Sequence, residues 1–258
     1  MLKNKIFNKI VTAISFLIMI AVNALANILP INGTTTGDVS DAYPNLFAPA
    51  GITFSIWGVI YFLLFIYVIY QFIVKDKKVE QILNKINVYF IISSLANAVW
   101  IFLWHHQLIA WSVLFMFIIL YSLIKISLLI NQAKLSLKDR VYAKVPFGVY
   151  FGWITIASIA NITTLLVSWG WKDFIFADQI WTIIILLVGA VITSMTTIKE
   201  RNIAYGLVPI WAYFGIYLKH SSPVFFNKMY PNVITTSLIC ILIFVIVDLY
   251  LLIKKKHL

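Results

Sequence analysis

Residues 86–130, INVYFIISSLANAVWIFLWHHQLIAWSVLFMFIILYSLIKISLLI, decide the fold. Two apolar runs, 86–104 and 108–130, flank the short polar break His105-His106-Gln107, and Lys125 is the only acidic or basic (Asp, Glu, Lys, Arg) residue in the stretch. Spanning the hydrocarbon of a bilayer takes roughly 20 mostly apolar residues in a helix. Only helices and closed barrels satisfy every backbone group there. The runs are continuous and lack the ten-residue alternation of a barrel strand. Each therefore reads as a transmembrane helix, and the pair as a tight hairpin whose two histidines are expected to be solvated.

The same reading extends outward to eight spans, at 10–29, 50–74, 86–104, 108–130, 145–168, 179–198, 203–218 and 233–253. The seventh is the shortest and is interrupted by Pro209 and Gly215. Composition agrees: 62% of the 258 residues are hydrophobic and 11% charged, against roughly 45–50% and 25% in soluble domains. The expected fold is all-α, a polytopic transmembrane helix bundle in the cell membrane. The first span continues to Leu29, which favours a retained helix over a cleaved signal peptide ending near Ala24-Leu25-Ala26.

The net charge of +11 raises the question of nucleic acid, but the basic residues sit in short clusters between apolar runs. Topology explains them better. Of the 20 Lys and Arg, only Lys172, Lys219 and Lys228 fall in the set of segments that alternates with the other seventeen. By the positive-inside rule both termini are cytoplasmic, and no nucleic acid is expected as a partner. Cys240 is the single cysteine, so an internal disulfide is excluded. No metal-ligand cluster, phosphate loop or nucleophile elbow is present, and no metal or obligatory cofactor is expected. The longest outer loop, Pro30 to Ala48, carries Asp38 and Asp41 without a basic residue and is long enough to cover the mouth of the bundle.

Three helices carry aromatic and amide residues on one face. Phe54, Trp57 and Tyr61 are spaced three then four, as are Asn97, Trp100 and Trp104 shifted by the helical repeat, and Tyr150, Trp153, Ala157 and Asn161 form a third stripe. At about 1.5 Å per residue, Trp57, Asn97 and Asn161 lie at one level, about 10 Å below the outer surface. Buried amides in lipid face the bundle interior. Two readings stay open: an Asn97–Asn161 hydrogen bond joining helices, and a ligand pocket with aromatic walls and few polar groups. Trp104, Trp111, Trp169, Trp171 and Trp181 fit the interfacial belt, whereas Trp211 lies deeper. Gly148 and Gly152 mark a close helix contact, within the bundle or in a dimer. Asp248, the one acid inside a span, is expected to snorkel or to pair with the lysines from Lys254 onward rather than to relay protons. Val208, Tyr213 and Lys219 match a loose sterol-contact pattern.

These residues resemble the TspO/MBR family, the tryptophan-rich sensory proteins related to the mitochondrial translocator protein. Phe47-Ala-Pro49 through Trp57 to Tyr61 is similar to the family's entry into its second helix. Asn97-Ala-Val-Trp100 through His106-Gln107 resembles the end of its third, and Tyr150-Phe-Gly-Trp153 through Asn161 its fifth-helix signature. Val149 stands where the family has proline, and the tandem prolines of the first loop reduce to Pro49. The resemblance covers residues 8–169, which implies a five-helix core (1–172) followed by a three-helix extension (173–258). It also implies a pocket for porphyrins, sterols or similar hydrophobic ligands, often in a homodimer, with Trp57, Asn97, Trp100, Tyr150, Trp153 and Asn161 as ligand-binding candidates. The expected function is a membrane sensor or regulator that binds such a ligand. The alternative is an eight-helix transporter of a lipophilic or cationic solute, because an interrupted seventh helix is the kind that lines transport sites.

Overall fold

The computed structural model describes residues 2–133, 135–171 and 178–255, with side chains from residue 5 to 254. Lys134, Lys172 and Lys256 of the charge pattern lie outside the described residues. All regular structure among the described residues is helical: α1 Leu2–Ile28, α2 Thr36–Asp41, α3 Ile56–Ile73, α4 Lys77–His105, α5 Ile109–Gln132, α6 Leu137–Ser168, α7 Asp178–Glu200, α8 Ile203–Ser221 and α9 Pro231–Lys255. Short 3-10 turns cover Ile31–Gly33 and Gly51–Ser55.

Several helices overrun the apolar runs at their charged ends, where polar caps satisfy the free N–H groups of the first turn. The Asp76 carboxylate accepts from the Lys78 and Val79 amides at the start of α4. The Ser136 hydroxyl accepts from the Asp139 amide at the start of α6. With 29 residues, α4 is about 43 Å long and stands clear of a hydrocarbon layer about 30 Å thick.

Seven of these helices are long and apolar enough to cross a membrane, and the protein is a multi-pass membrane protein. Helix α8 is not among the seven, although it forms over the expected range. Its sequence is less apolar, and its position accommodates that. It packs on α6, α7 and α9, and its polar residues Lys219 and His220 are buried against protein rather than lipid. The expected interruption is absent too, since α8 runs unbroken through Pro209 and Gly215.

Helix α6 is the hub. It touches α3 and α5 on one side and α7 and α8 on the other. Gly148 and Gly152 set its close contact with α8: a Cβ on Gly152 would stand 2.8 Å from the Tyr205 carbonyl oxygen, and one on Gly148 would meet the Asn202 amide. The small-residue pair thus serves a contact within the chain.

The polar residues of the spans face inward and pair across helices. The Tyr67 hydroxyl donates to Asn87 Oδ1, and Asn87 Nδ2 donates to Gln71 Oε1, both at 2.7 Å. Leu17, Phe62, Leu114, Leu187 and Ile246 are exposed on the outer surface, the arrangement lipid requires. The two ends differ in charge. Lys5 and Lys9 pair with Glu80 at 2.9 and 2.8 Å at one end, and Asp41 pairs with Lys219 at 2.8 Å at the other.

Candidate functional site

At the end opposite the basic clusters, the three aromatic stripes meet. The Trp57 ring stands edge-on to Trp153 with centroids 6.2 Å apart, and Phe54 meets Trp153 the same way at 6.0 Å. Trp100 and Trp104 stack at 5.6 Å. They enclose a cavity of about 50 Å³ between α3, α4, α6 and α8, walled by Trp57, Trp100, Trp104, Trp153, Asn161 and Ala212. That is far below the roughly 300–1,000 Å³ of a small-molecule pocket.

The cavity is tight because the outer loop forms its roof, through Thr36, Ser40, Asn45, Phe47, Ala48 and Pro49. Helix α2 shapes this loop. Its capping box joins Thr35 to Asp38, and the Thr35 amide and hydroxyl hold the Asp38 carboxyl below the usual carboxylate range.

On the α4 side the roof is pinned by His105, which is fully buried rather than solvated. Its Nδ1 lies 3.2 Å from the Ile31 carbonyl and its Nε2 3.1 Å from the Thr36 hydroxyl. A carbonyl only accepts, so Nδ1 donates to Ile31 while Nε2 shares a hydrogen bond with the Thr36 hydroxyl. The Trp104 indole N–H donates to the Thr36 carbonyl at 3.1 Å. On the α8 side, Lys219 pairs with Asp41 and His220 Nε2 donates to the Leu46 carbonyl at 2.8 Å. Below the roof, the Ala50 amide donates to the Gly215 carbonyl at 3.0 Å and the Trp211 indole to the Thr53 carbonyl at 2.9 Å.

Of the six candidates, Trp57, Trp100, Trp153 and Asn161 line the cavity. Asn97 and Tyr150 do not. Asn97 accepts a 2.6 Å hydrogen bond from Asn23 of α1, and Tyr150 is fully buried with its hydroxyl 3.9 Å from the Met19 sulfur. The Asn97–Asn161 bond is not formed, because each amide has other partners. Asn161 Oδ1 accepts from the Trp100 indole at 2.9 Å, and its Nδ2 donates to the Ser112 hydroxyl at 2.9 Å. Asn161 thus positions a wall residue through its hydrogen bond to Trp100. Trp153 differs: it is 3% exposed and its indole N–H has no acceptor among the described residues.

Trp104 belongs to the wall rather than to the interfacial belt; its place on the Trp100 stripe was the available signal. Trp111 and Trp169 are exposed, as the belt requires. Nothing in the local sequence marked Ala212 and Ile216 of α8 as lining residues. The sterol-contact pattern does not face lipid, since Val208 and Tyr213 are buried and the Tyr213 hydroxyl donates to the Leu186 carbonyl. Asp248 is likewise buried, packed on Gly206 and without a hydrogen-bond partner among the described residues, while Lys254 donates instead to the Tyr250 hydroxyl. No group of three or more metal-ligating side chains occurs among the described residues.

A family model for TSPO-like proteins matches residues 9–250. This chain belongs to the TSPO-like family. The match takes in α7, α8 and α9 as well as the first five spanning helices. Comparison with curated proteins and with solved structures gave no match.

Proposed function

We propose that this TSPO-like protein binds a hydrophobic, flat ligand of the porphyrin or sterol-like kind under its outer loop, and acts as a sensor or regulator through that loop. The observation that carries the reading is the unpartnered Trp153 N–H in an aromatic cavity. A buried donor without a partner is costly, and a ligand bearing a carbonyl, carboxylate or ring nitrogen would satisfy it while its rings pack on Trp57 and Trp100. A ligand of that size needs several hundred Å³. Binding therefore requires the roof to lift from its His105 and Lys219 pins, and this movement is what a partner would sense. The transporter alternative loses its motive, since α8 is continuous.

Protoporphyrin titrated into the purified protein is expected to quench tryptophan fluorescence. Trp153→Phe keeps the ring and removes the N–H, and should weaken affinity roughly five- to tenfold. Trp57→Phe should reduce the quenching amplitude. Unchanged emission at saturating porphyrin would remove the pocket from consideration.

A further inference from the structure

A second concavity lies at the opposite, basic end. There α5, α6, α7, α8 and α9 border an open cleft of about 970 Å³, lined by Arg140, Lys144, Lys199, Arg201 and Lys254. Its one acid, Glu200, is buried and accepts from Ser127 and Asn131. Lys144 is held to Asn131 Oδ1 at 2.8 Å and to the Glu200 carbonyl at 2.7 Å. None of Arg140, Lys199, Arg201 and Lys254 forms an ion pair among the described residues.

Positive-inside topology explains cations at this face, but not their convergence. Two other basic groups on the face have acids beside them: Lys5 and Lys9 share Glu80, and the neighbouring groove is lined by Lys75 and Lys138 together with Asp76 and Asp139. The α5–α9 cleft instead keeps a surplus, five cations against one carboxylate among the described residues. A further feature points at an anion. The first turn of α8 opens on the cleft at Ile203 and Ala204, and a helix N-terminus attracts negative charge through its free N–H groups.

We infer that this cleft binds the phosphate headgroup of an anionic phospholipid from the leaflet on the basic side. Membrane lipid rather than a soluble anion is favoured by the rim: Leu137 and Val141 are exposed apolar side chains lining the cleft beside Arg140, suited to the first methylenes of an acyl chain. The cleft also joins α7–α9 to α5 and α6, so a bound lipid would bridge the two parts of the chain.

The test uses the full chain in nanodiscs of phosphatidylcholine with a minor fraction of phosphatidylglycerol, with retained lipid counted by native mass spectrometry. Phosphatidylglycerol should be enriched on the wild-type protein. Arg140→Gln with Arg201→Gln should cut that enrichment roughly tenfold or more, at about fivefold per surface cation. Lys75→Gln with Lys138→Gln, in the balanced groove, should leave it unchanged. Should the first pair fail to fold, Lys199→Gln with Lys254→Gln, both exposed, must show the same loss. Equal retention of the two lipids, or equal loss from both groove variants, overturns the site. Displacement of the retained lipid by millimolar inorganic phosphate assigns the cleft to a soluble anion and overturns the lipid reading.

Discussion

At the scale of single residues, burial decides roles that residue type leaves open. His105 stands next to His106 in a polar tripeptide, yet only His106 is exposed; His105 turns inward and fastens two points of the roof. Asp248 shows the opposite economy, a buried carboxyl whose space is made by a missing side chain. A Cβ on Gly206 would lie 2.0 Å from Asp248 Oδ1. Gly206→Ala is therefore expected to destabilise the protein by about 1–3 kcal/mol through overpacking. Adding Asp248→Ala should recover most of that loss, and thermal melts of the two single variants and the double variant in one detergent measure the coupling. Additive losses would mean that the two residues do not share this space.

At the scale of elements, the bundle depends on how closely α6 and α8 approach. The Gly152 position faces a backbone carbonyl that no rotamer change can move, so Gly152→Ala should cost about 1–3 kcal/mol. Gly58, on the exposed face of α3, has no atom within 4 Å of the point where a Cβ would stand. Gly58→Ala should be neutral or stabilise by up to about 1 kcal/mol, the helix-propensity difference. A similar fall in melting temperature for both variants would contradict the α6–α8 contact. The roof is an element of the same kind, held by few bonds. Asp41→Asn leaves Lys219 buried without its counter-charge, and limited proteolysis should then cut within residues 31–48 several-fold faster than in the wild type. An unchanged cleavage rate would show that the pair does not hold the roof down.

At the scale of the whole molecule, the C-terminal helices reach the cavity through α8. Helix α8 supplies Ala212 and Ile216 to the cavity wall and Lys219 and His220 to the roof. A chain ending at Trp171 should therefore insert into membranes yet fail to quench with porphyrin. Wild-type quenching by that truncated chain would confine the site to the first five spanning helices. The family match through residue 250 agrees with treating the nine helices among the described residues as one assembly.

What the sequence determined by itself is the solvent and the periodic faces. Runs of about 20 apolar residues leave no choice but spanning helices, and the 3.6-residue repeat places Trp57, Trp100 and Trp153 on inward stripes before any packing is known. The tertiary structure decided the rest, because it depends on partners distant in the chain. Asn97 pairs with Asn23 and not with Asn161, since α1 rather than α6 lies against that face of α4. Helix α8 looked broken and marginal because its sequence suits a protein interior, and only its neighbours reveal that it has one. The roof closes for the same reason: its pins, His105 and Lys219, are separated by more than a hundred residues and meet the loop only when α4 and α8 stand on either side of it.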